Sequence, residues 1–188
     1  ITAAAALPAG FNEQVEDLCR TSLVVPGNYI DLIDSGNSIF STAQTLGKLY
    51  RKDRQVFQLI QTSGRLDQVD HKMLPSIVDE MSRESGKPVM GMYKGTHGTP
   101  VIRGGRLQRT EAELLLSSST VELLDEIRMV SPTPFITEDG SILHKGYHSS
   151  YQVLVTGGSV SDVEFDEAVE ALDELLCDFA PFTPSDKS

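Results

Sequence analysis

A β-hairpin is predicted by the strand Gln55-Val56-Phe57-Gln58-Leu59-Ile60 and the weaker strand Leu66-Asp67-Gln68-Val69. The two are joined by Thr62-Ser63-Gly64-Arg65, in which the Ser-Gly pair supplies turn chemistry. Five apolar residues then recur at helical spacing over about 72–85: Met73, Leu74, Ile77, Val78 and Met81. Pro75 fits only in the first turn of that helix. A hairpin followed directly by a helix indicates a fold that mixes both kinds of element.

Similar patterns extend to both sides of this hairpin. Upstream, the sequence predicts a helix over 11–23, a strand over 29–33, a turn over 34–37 and a helix over 38–50. Downstream, it predicts a strand at 89–93, a loop at 94–100, strands at 101–103 and 106–108, helices at 110–116 and 119–128, a hairpin at 135–143 and a strand at 151–155. Short strands interleaved with five or six helices predict an α+β fold.

Capping boxes mark three of the predicted helices. They are Thr110-Glu111-Ala112-Glu113, Ser119-Thr120-Val121-Glu122 and the pair Ser161 and Glu164. The third opens the clearest helix of the chain, 161–179, which has apolar residues on one face and acidic residues on the other.

Two small β-hairpin-plus-helix units are the predicted domain organisation. Residues 1–28 form an N-terminal helical segment, 29–88 a first α+β subdomain, and 89–188 a second one that ends in the amphipathic helix. The alternative is one compact domain, which a chain of 188 residues is long enough to form.

The net charge of −11 is unevenly distributed along the chain. Residues 1–50 carry −3, residues 111–188 carry −13, and residues 51–110 carry +5 from eleven Lys/Arg against six Asp/Glu. A basic middle beside an acidic end is compatible with a nucleic-acid-binding face. The alternative is a pair of solvated faces whose charges complement each other.

Two groups of cations are the candidate nucleic-acid-binding residues. The first is Arg51, Lys52 and Arg54, and the second is Arg103, Arg106 and Arg109. Each group lies at a turn beside a predicted strand, where cations can meet phosphates. Tyr50 and Phe57 are candidates for stacking on a base. The alternative places both aromatic residues in the core and leaves the cations as a solvated rim.

The sequence contains no recognisable catalytic constellation. Neither common phosphate-binding loop occurs, and there is no GxSxG elbow. His144 and His148 straddle Gly146 after a predicted strand, so their rings would not share a helical face as zinc ligands do. His97 lies in a glycine-rich loop that could present an imidazole to a ligand. We therefore expect no catalytic residue, no bound metal and no cofactor.

The expected compartment is the cytoplasm, without a membrane partner. No window approaches the roughly 18 continuous apolar residues of a membrane span, and the first seven residues are too short and uncharged for a signal peptide. Cys19 and Cys177 lie outside any CxxC motif, so we expect reduced thiols, with a disulfide as the open alternative. A start at Ile1 and a stop after a strong helix suggest a segment of a longer protein.

Several short motifs follow one another in order from about Tyr29 onward. They are Gly36-Asn37, Leu49-Tyr50-Arg51, Val56-Phe57-Gln58-Leu59, Gly64-Arg65-Leu66, Met73-Leu74-Pro75, Leu124-Asp125-Glu126-Ile127-Arg128, Pro134-Phe135-Ile136-Thr137-Glu138-Asp139-Gly140-Ser141-Ile142-Leu143, Gly146-Tyr147-His148 and Asp178-Phe179-Ala180-Pro181-Phe182-Thr183-Pro184-Ser185-Asp186-Lys187-Ser188. In this order the chain resembles a segment of large replication proteins from phages, plasmids and integrated elements. That segment lies between a primase or primase–polymerase region and a superfamily-3-like AAA+ helicase ATPase.

The resemblance implies a non-catalytic module, because the ATP-binding and primase motifs of that family lie outside this segment. Such a module would help a mobile-element helicase or primase–helicase engage DNA or load onto it. Its implied partners are DNA and the adjoining primase or AAA+ domains. One alternative is a protein-interaction module, able to form a homo-oligomer, that does not bind DNA. The other is an independent metal- or His-dependent enzyme using His97, His144 or His148.

Overall fold

The computed structural model describes residues 10–60 and 62–158. Within these ranges the chain forms four α-helices and eleven short strands, which confirms the α+β fold. The helices are α1 (Phe11–Thr21), α2 (Leu32–Thr45), α3 (Leu74–Ser85) and α4 (Arg109–Leu116). The strands are β1 (Leu23–Val24), β2 (Leu49–Lys52), β3 (Gln55–Ile60), β4 (Arg65–Gln68), β5 (Val89–Lys94), β6 (Pro100–Gly104), β7 (Met129–Ser131), β8 (Phe135–Ile136), β9 (Ile142–Leu143), β10 (Gly146–His148) and β11 (Val153–Val155). Two 3₁₀ turns lie at Thr96–Gly98 and Ser119–Leu123.

The strands form four small sheets. Their strand orders are β1-β5-β6, β2-β3-β4, β10-β11-β7 and β8-β9. In the first sheet β1 runs parallel to β5, while β5 and β6 form an antiparallel hairpin. None of the helices in the described part of the chain has the length and apolar content that a membrane crossing needs.

Helix α2 is the centre of the main core. Its residues Ile39, Phe40 and Ala43 are completely buried, and they belong to one apolar cluster with residues of α3 and α4. Burying a side chain the size of Phe40 contributes about 1.5–3 kcal/mol. The 3₁₀ turn at Ser119–Leu123 packs so closely on α2 that a Cβ added at Gly36 would lie 2.7 Å from the Cβ of Thr120. Glycine at this position therefore permits the close approach.

The predicted hairpin at 55–69 and the helix that follows it are confirmed. Strands β3 and β4 pair antiparallel with Leu59 opposite Leu66. Helix α3 begins one residue before Pro75, and Gly86 at its end adopts a left-handed φ of 70°. The predicted hairpin at 135–143 is also confirmed, as β8 and β9.

The predicted strand at 29–33, the turn at 34–37 and the helix at 38–50 are wrong in their bounds. Helix α2 already begins at Leu32, because the Asp31 carboxylate caps it by accepting a hydrogen bond from the Asp34 N–H at 2.8 Å. The helix ends at Thr45, and Gly47 turns the chain with a φ of 60°. Residues that were expected to finish the helix form β2 instead.

Two further predictions are wrong for tertiary reasons. Strand β6 pairs with β5 rather than with residues 106–108, which are not in a strand. The helix predicted at 119–128 is reduced to a 3₁₀ turn, because Arg51 of β2 holds Glu126 in an extended bridge. Helix α4 is present, but the acid that caps its first turn is Glu111, which accepts a hydrogen bond from the Gln108 N–H at 2.8 Å.

The amphipathic helix predicted at 161–179 lies outside the described residues. The division into 1–28, 29–88 and 89–188 stays a prediction. The sheet β1-β5-β6 joins the first of these segments to the third.

Candidate nucleic-acid interface

The antiparallel hairpin of β5 and β6 presents an open sheet edge. The two strands pair from Met90 opposite Gly104 to Lys94 opposite Pro100. In the described part of the chain, no strand pairs with the outer edge of β6. Val101 and Ile102 point to opposite faces of the strand, yet both are 43% exposed. Strand β6 is therefore solvent-accessible on both faces and along its backbone edge.

Contacts with the N-terminal part of the chain hold the loop end of this hairpin in place. The Tyr29 hydroxyl donates a hydrogen bond to the Gly98 carbonyl at 2.6 Å, and the Lys94 N–H donates one to Asn28 Oδ1 at 3.0 Å. Tyr29 is itself packed edge-on against Phe11 of α1, with ring centroids 5.6 Å apart. These contacts anchor the loop end of the hairpin.

An aromatic ring lies flat across the hairpin. The ring of Tyr93 rests on Gly91, where an added Cβ would lie only 2.6 Å from the tyrosine hydroxyl oxygen. Gly105 borders the same ring, since a Cβ there would lie 3.1 Å from that oxygen. The guanidinium carbon of Arg103 lies 4.3 Å from the ring centroid, which is a cation–π contact. Glycine at 91 leaves room for the ring.

The cations of this region are exposed, and within the described residues they have no ion-pair partner. They are Lys94, Arg103, Arg106 and Arg109. Across residues 10–60 and 62–158, none of the four forms an ion pair. Arg109 is the first residue of α4, a position where the helix dipole favours an acidic side chain. These charges therefore add little to the stability of the fold and are available to a ligand.

The other predicted cation group, Arg51, Lys52 and Arg54, does not form one surface, because Arg51 is hydrogen-bonded within the fold while the other two are exposed. Arg51 is a structural residue: its Nη2 donates to Glu126 Oε2 at 3.0 Å and its Nε to the Leu124 carbonyl at 3.2 Å. Lys52 and Arg54 are exposed, and Arg54 borders a cleft of about 680 Å³ whose lining includes Asp53 and Glu122. These carboxylates reduce the attraction of that cleft for phosphate.

Tyr50 is unsuited to stack on a base. It is only 5% exposed and packs with Ile127 and Leu154 in a small apolar cluster. Burial raises the pKa of the Tyr50 hydroxyl above its ordinary value, with Asp125 adding to the shift. The core alternative is therefore correct for Tyr50, while Phe57 is half-buried.

Tyr93, Gly91 and Gly105 belong to the candidate site, and the sequence prediction did not include them. The signal is the alternation of Gly91 with Tyr93, which places both on one face of a strand. A glycine inside a strand commonly marks a close approach by another group. Here the approaching group is an aromatic ring.

His148 and Cys19 lie in surroundings that do not favour catalysis. One ring nitrogen of His148, Nε2, lies 2.7 Å from the His144 carbonyl oxygen and is engaged there. Within the described ranges, no three His, Cys, Asp or Glu side chains are grouped as a metal would require. Burial raises the pKa of the Cys19 thiol, and Asp34 and Asp31 raise it further, which makes the thiolate scarce at neutral pH.

Comparison of the chain with protein-family profiles, with curated proteins and with solved structures finds no match.

Proposed function

We propose that this chain is a non-catalytic, cytoplasmic nucleic-acid-binding module that contacts DNA through the β5–β6 hairpin. Its context is a mobile-element replication helicase or primase–helicase, which it helps to engage DNA or load onto it. Its partners are DNA and the adjoining primase or AAA+ helicase domains of the same protein. The context rests on the sequence resemblance, and the binding surface rests on the geometry of the hairpin.

One observation carries the binding proposal: four cations lie exposed on or next to an open hairpin without an acidic partner in the described residues. A cation that stabilises the fold is commonly paired with a carboxylate, as Arg51 is paired with Glu126 in this chain. Phosphate contacts by Lys and Arg release condensed counterions, so each contact adds to affinity and to its dependence on salt. The overall negative charge limits nonspecific attraction and confines binding to this basic face.

The test is a salt titration of oligonucleotide binding, followed by fluorescence anisotropy. Wild-type affinity for DNA should fall steeply as salt rises. The variant Arg103→Glu with Arg106→Glu should lower both the affinity, by at least about tenfold near 50 mM salt, and the steepness of the salt dependence. The matched control is Lys52→Glu with Arg54→Glu, which makes the same change of net charge at the other predicted group. It should retain most of the binding.

Equal losses in the two variants would move the interface away from the hairpin. Flat, salt-insensitive titrations of the wild-type chain would reject DNA binding altogether. In that case the interaction-module alternative gains, and light scattering with and without the adjoining ATPase region would measure self-association or partner binding.

A further inference from the structure

The position of the Tyr93 ring requires a glycine inside a strand, which lowers the stability of the strand. A function of the ring would explain this arrangement. Gly91 lies inside β5, and glycine in a strand interior destabilises the strand relative to alanine. Any side chain at 91 would collide with the ring, since a Cβ there would lie within 2.7 Å of two ring carbons. The ring is thus held over the backbone of Gly91, although Tyr93 remains only half-buried.

Arg103 extends this flat surface. Its guanidinium lies on the ring at 4.3 Å, and the side chain is exposed. In the described part of the chain it has no carboxylate partner, so the stack itself orients it. A guanidinium on an aromatic ring presents a planar cation to solvent, and planar cations and aromatic rings are the surfaces on which nucleobases stack.

The surroundings of the stack include exposed apolar surface as well as charge. Val101 lies directly opposite Tyr93 on the paired strand, and so it shares a face with the ring. Phosphates gain nothing from an exposed valine. An unpaired base gains from the valine and from the guanidinium plane that covers the ring, whereas the faces of a base inside a duplex are already covered by its neighbours.

We propose that Tyr93 and Arg103 form a stacking platform for an unpaired base, so that the hairpin selects single-stranded over duplex nucleic acid. Arg106, beyond the open end of the hairpin, contacts the adjacent phosphate. This inference rests on the proposed function, because it assigns a substrate class to the same surface. The two kinds of contact make different contributions. The cations supply salt-dependent affinity, and the stack supplies the preference for unpaired bases.

The experiment compares three probes of equal length: oligothymidine, the same oligonucleotide with abasic sites, and a duplex. Wild-type protein should bind oligothymidine more tightly than either of the others at one salt concentration. Tyr93→Leu should weaken oligothymidine binding about five- to 150-fold while leaving the salt slope and the duplex affinity unchanged. Tyr93→Phe, the matched control, keeps the ring and should bind like the wild type.

A second readout does not depend on the leucine variant folding. The chain contains no tryptophan, so Tyr93→Trp introduces a single indole at the platform. Stacking of a base should quench its fluorescence with oligothymidine but not with the duplex.

The outcomes distinguish this inference from the proposed function. Equal wild-type affinity for oligothymidine and abasic DNA, with binding still lost in Arg103→Glu with Arg106→Glu, would overturn the platform and leave the DNA-binding proposal intact. Absence of binding to every probe would overturn both.

Discussion

Two cation-rich regions of this protein differ in how their charges are used. In the β2 seam, defined here as Lys48 and Arg51 with their partners, each cation is paired. Lys48 Nζ lies 3.0 Å from Glu80 Oε1 and 2.7 Å from Glu84 Oε1, and only 11% of its side chain is exposed. In the β5–β6 hairpin, the cations are exposed and unpaired within the described residues.

The difference shows that the number of cations in a segment does not define its function. Burial makes a charge costly unless it is paired and hydrogen-bonded, so a buried cation is bound to the scaffold. An exposed cation without a partner contributes little to folding and is free to meet a ligand. The seam should therefore control stability, and the hairpin should control binding.

The largest expected effect tests the seam at Arg51. Arg51→Met should lower the free energy of unfolding by about 2 kcal/mol, because it removes hydrogen bonds to the Glu126 carboxylate and the Leu124 carbonyl. Urea denaturation followed by circular dichroism measures this change. DNA binding should persist at temperatures where the variant is folded.

The control for this prediction is Arg103→Met on the hairpin, which loses only the exposed contact with Tyr93 and should change stability by less than about 1 kcal/mol while weakening DNA binding. A double-mutant cycle with Glu126→Gln isolates the pair and should give a coupling of about 1 kcal/mol. The comparison fails if Arg51→Met leaves stability intact or if Arg103→Met unfolds the protein.

A smaller effect is expected at Lys48. Lys48→Met keeps the apolar stem of the side chain but removes the charge between Glu80 and Glu84, which then repel each other one turn apart on α3. Stability should fall by about 1 kcal/mol, less than for Arg51, because both glutamates are nearly half exposed to water.

Lys52→Met is the matched control for Lys48→Met, since Lys52 lies on β2, is exposed and forms no ion pair in the described ranges. Thermal unfolding of the three proteins measures the difference. Equal melting temperatures for the two variants would remove the distinction between paired and unpaired cations.

The parts of the fold that were predictable are those set by local pattern. The hairpin at 55–69 follows from strand alternation around a Ser-Gly turn, and α3 follows from its apolar spacing and Pro75. The start of α2 was missed because Asp34-Ser35-Gly36 has a turn-like composition, while the cap at Asp31 and the close packing on Thr120 favour a helix.

Prediction from the sequence succeeds less often where partners are distant. Residues 124–127 have a helical pattern, but they are extended because Arg51, more than 70 positions earlier, bridges to Glu126. Because its partner is so distant in sequence, Arg51 is predicted from the sequence as a DNA-binding candidate although it is bound to Glu126 in the structure. Arg103, Arg106 and Arg109 were recognisable as an exposed group from the sequence, whereas the seat of Tyr93 depends on two strands coming together.

The smallest effect expected is a pH dependence that sharpens the description of the seam. Burial lowers the pKa of Lys48, but the hydrogen bonds to Glu84 and Glu80 more than reverse this and leave the pKa above its ordinary value of 10.5. A pKa raised by folding means that the unfolded chain loses the proton first. The contribution of Lys48 to stability is therefore complete below pH 10.5 and is lost as pH rises through the folded-state pKa.

Burial also raises the pKa of Tyr50 and Tyr147, which destabilises the wild type and Lys48→Met alike at alkaline pH. The stability difference between these two proteins therefore isolates Lys48. It should be constant from neutral pH to about 10 and shrink above 10.5 in urea titrations at each pH. A difference that grows with alkaline pH would show that the pairing of Lys48 does not stabilise the seam.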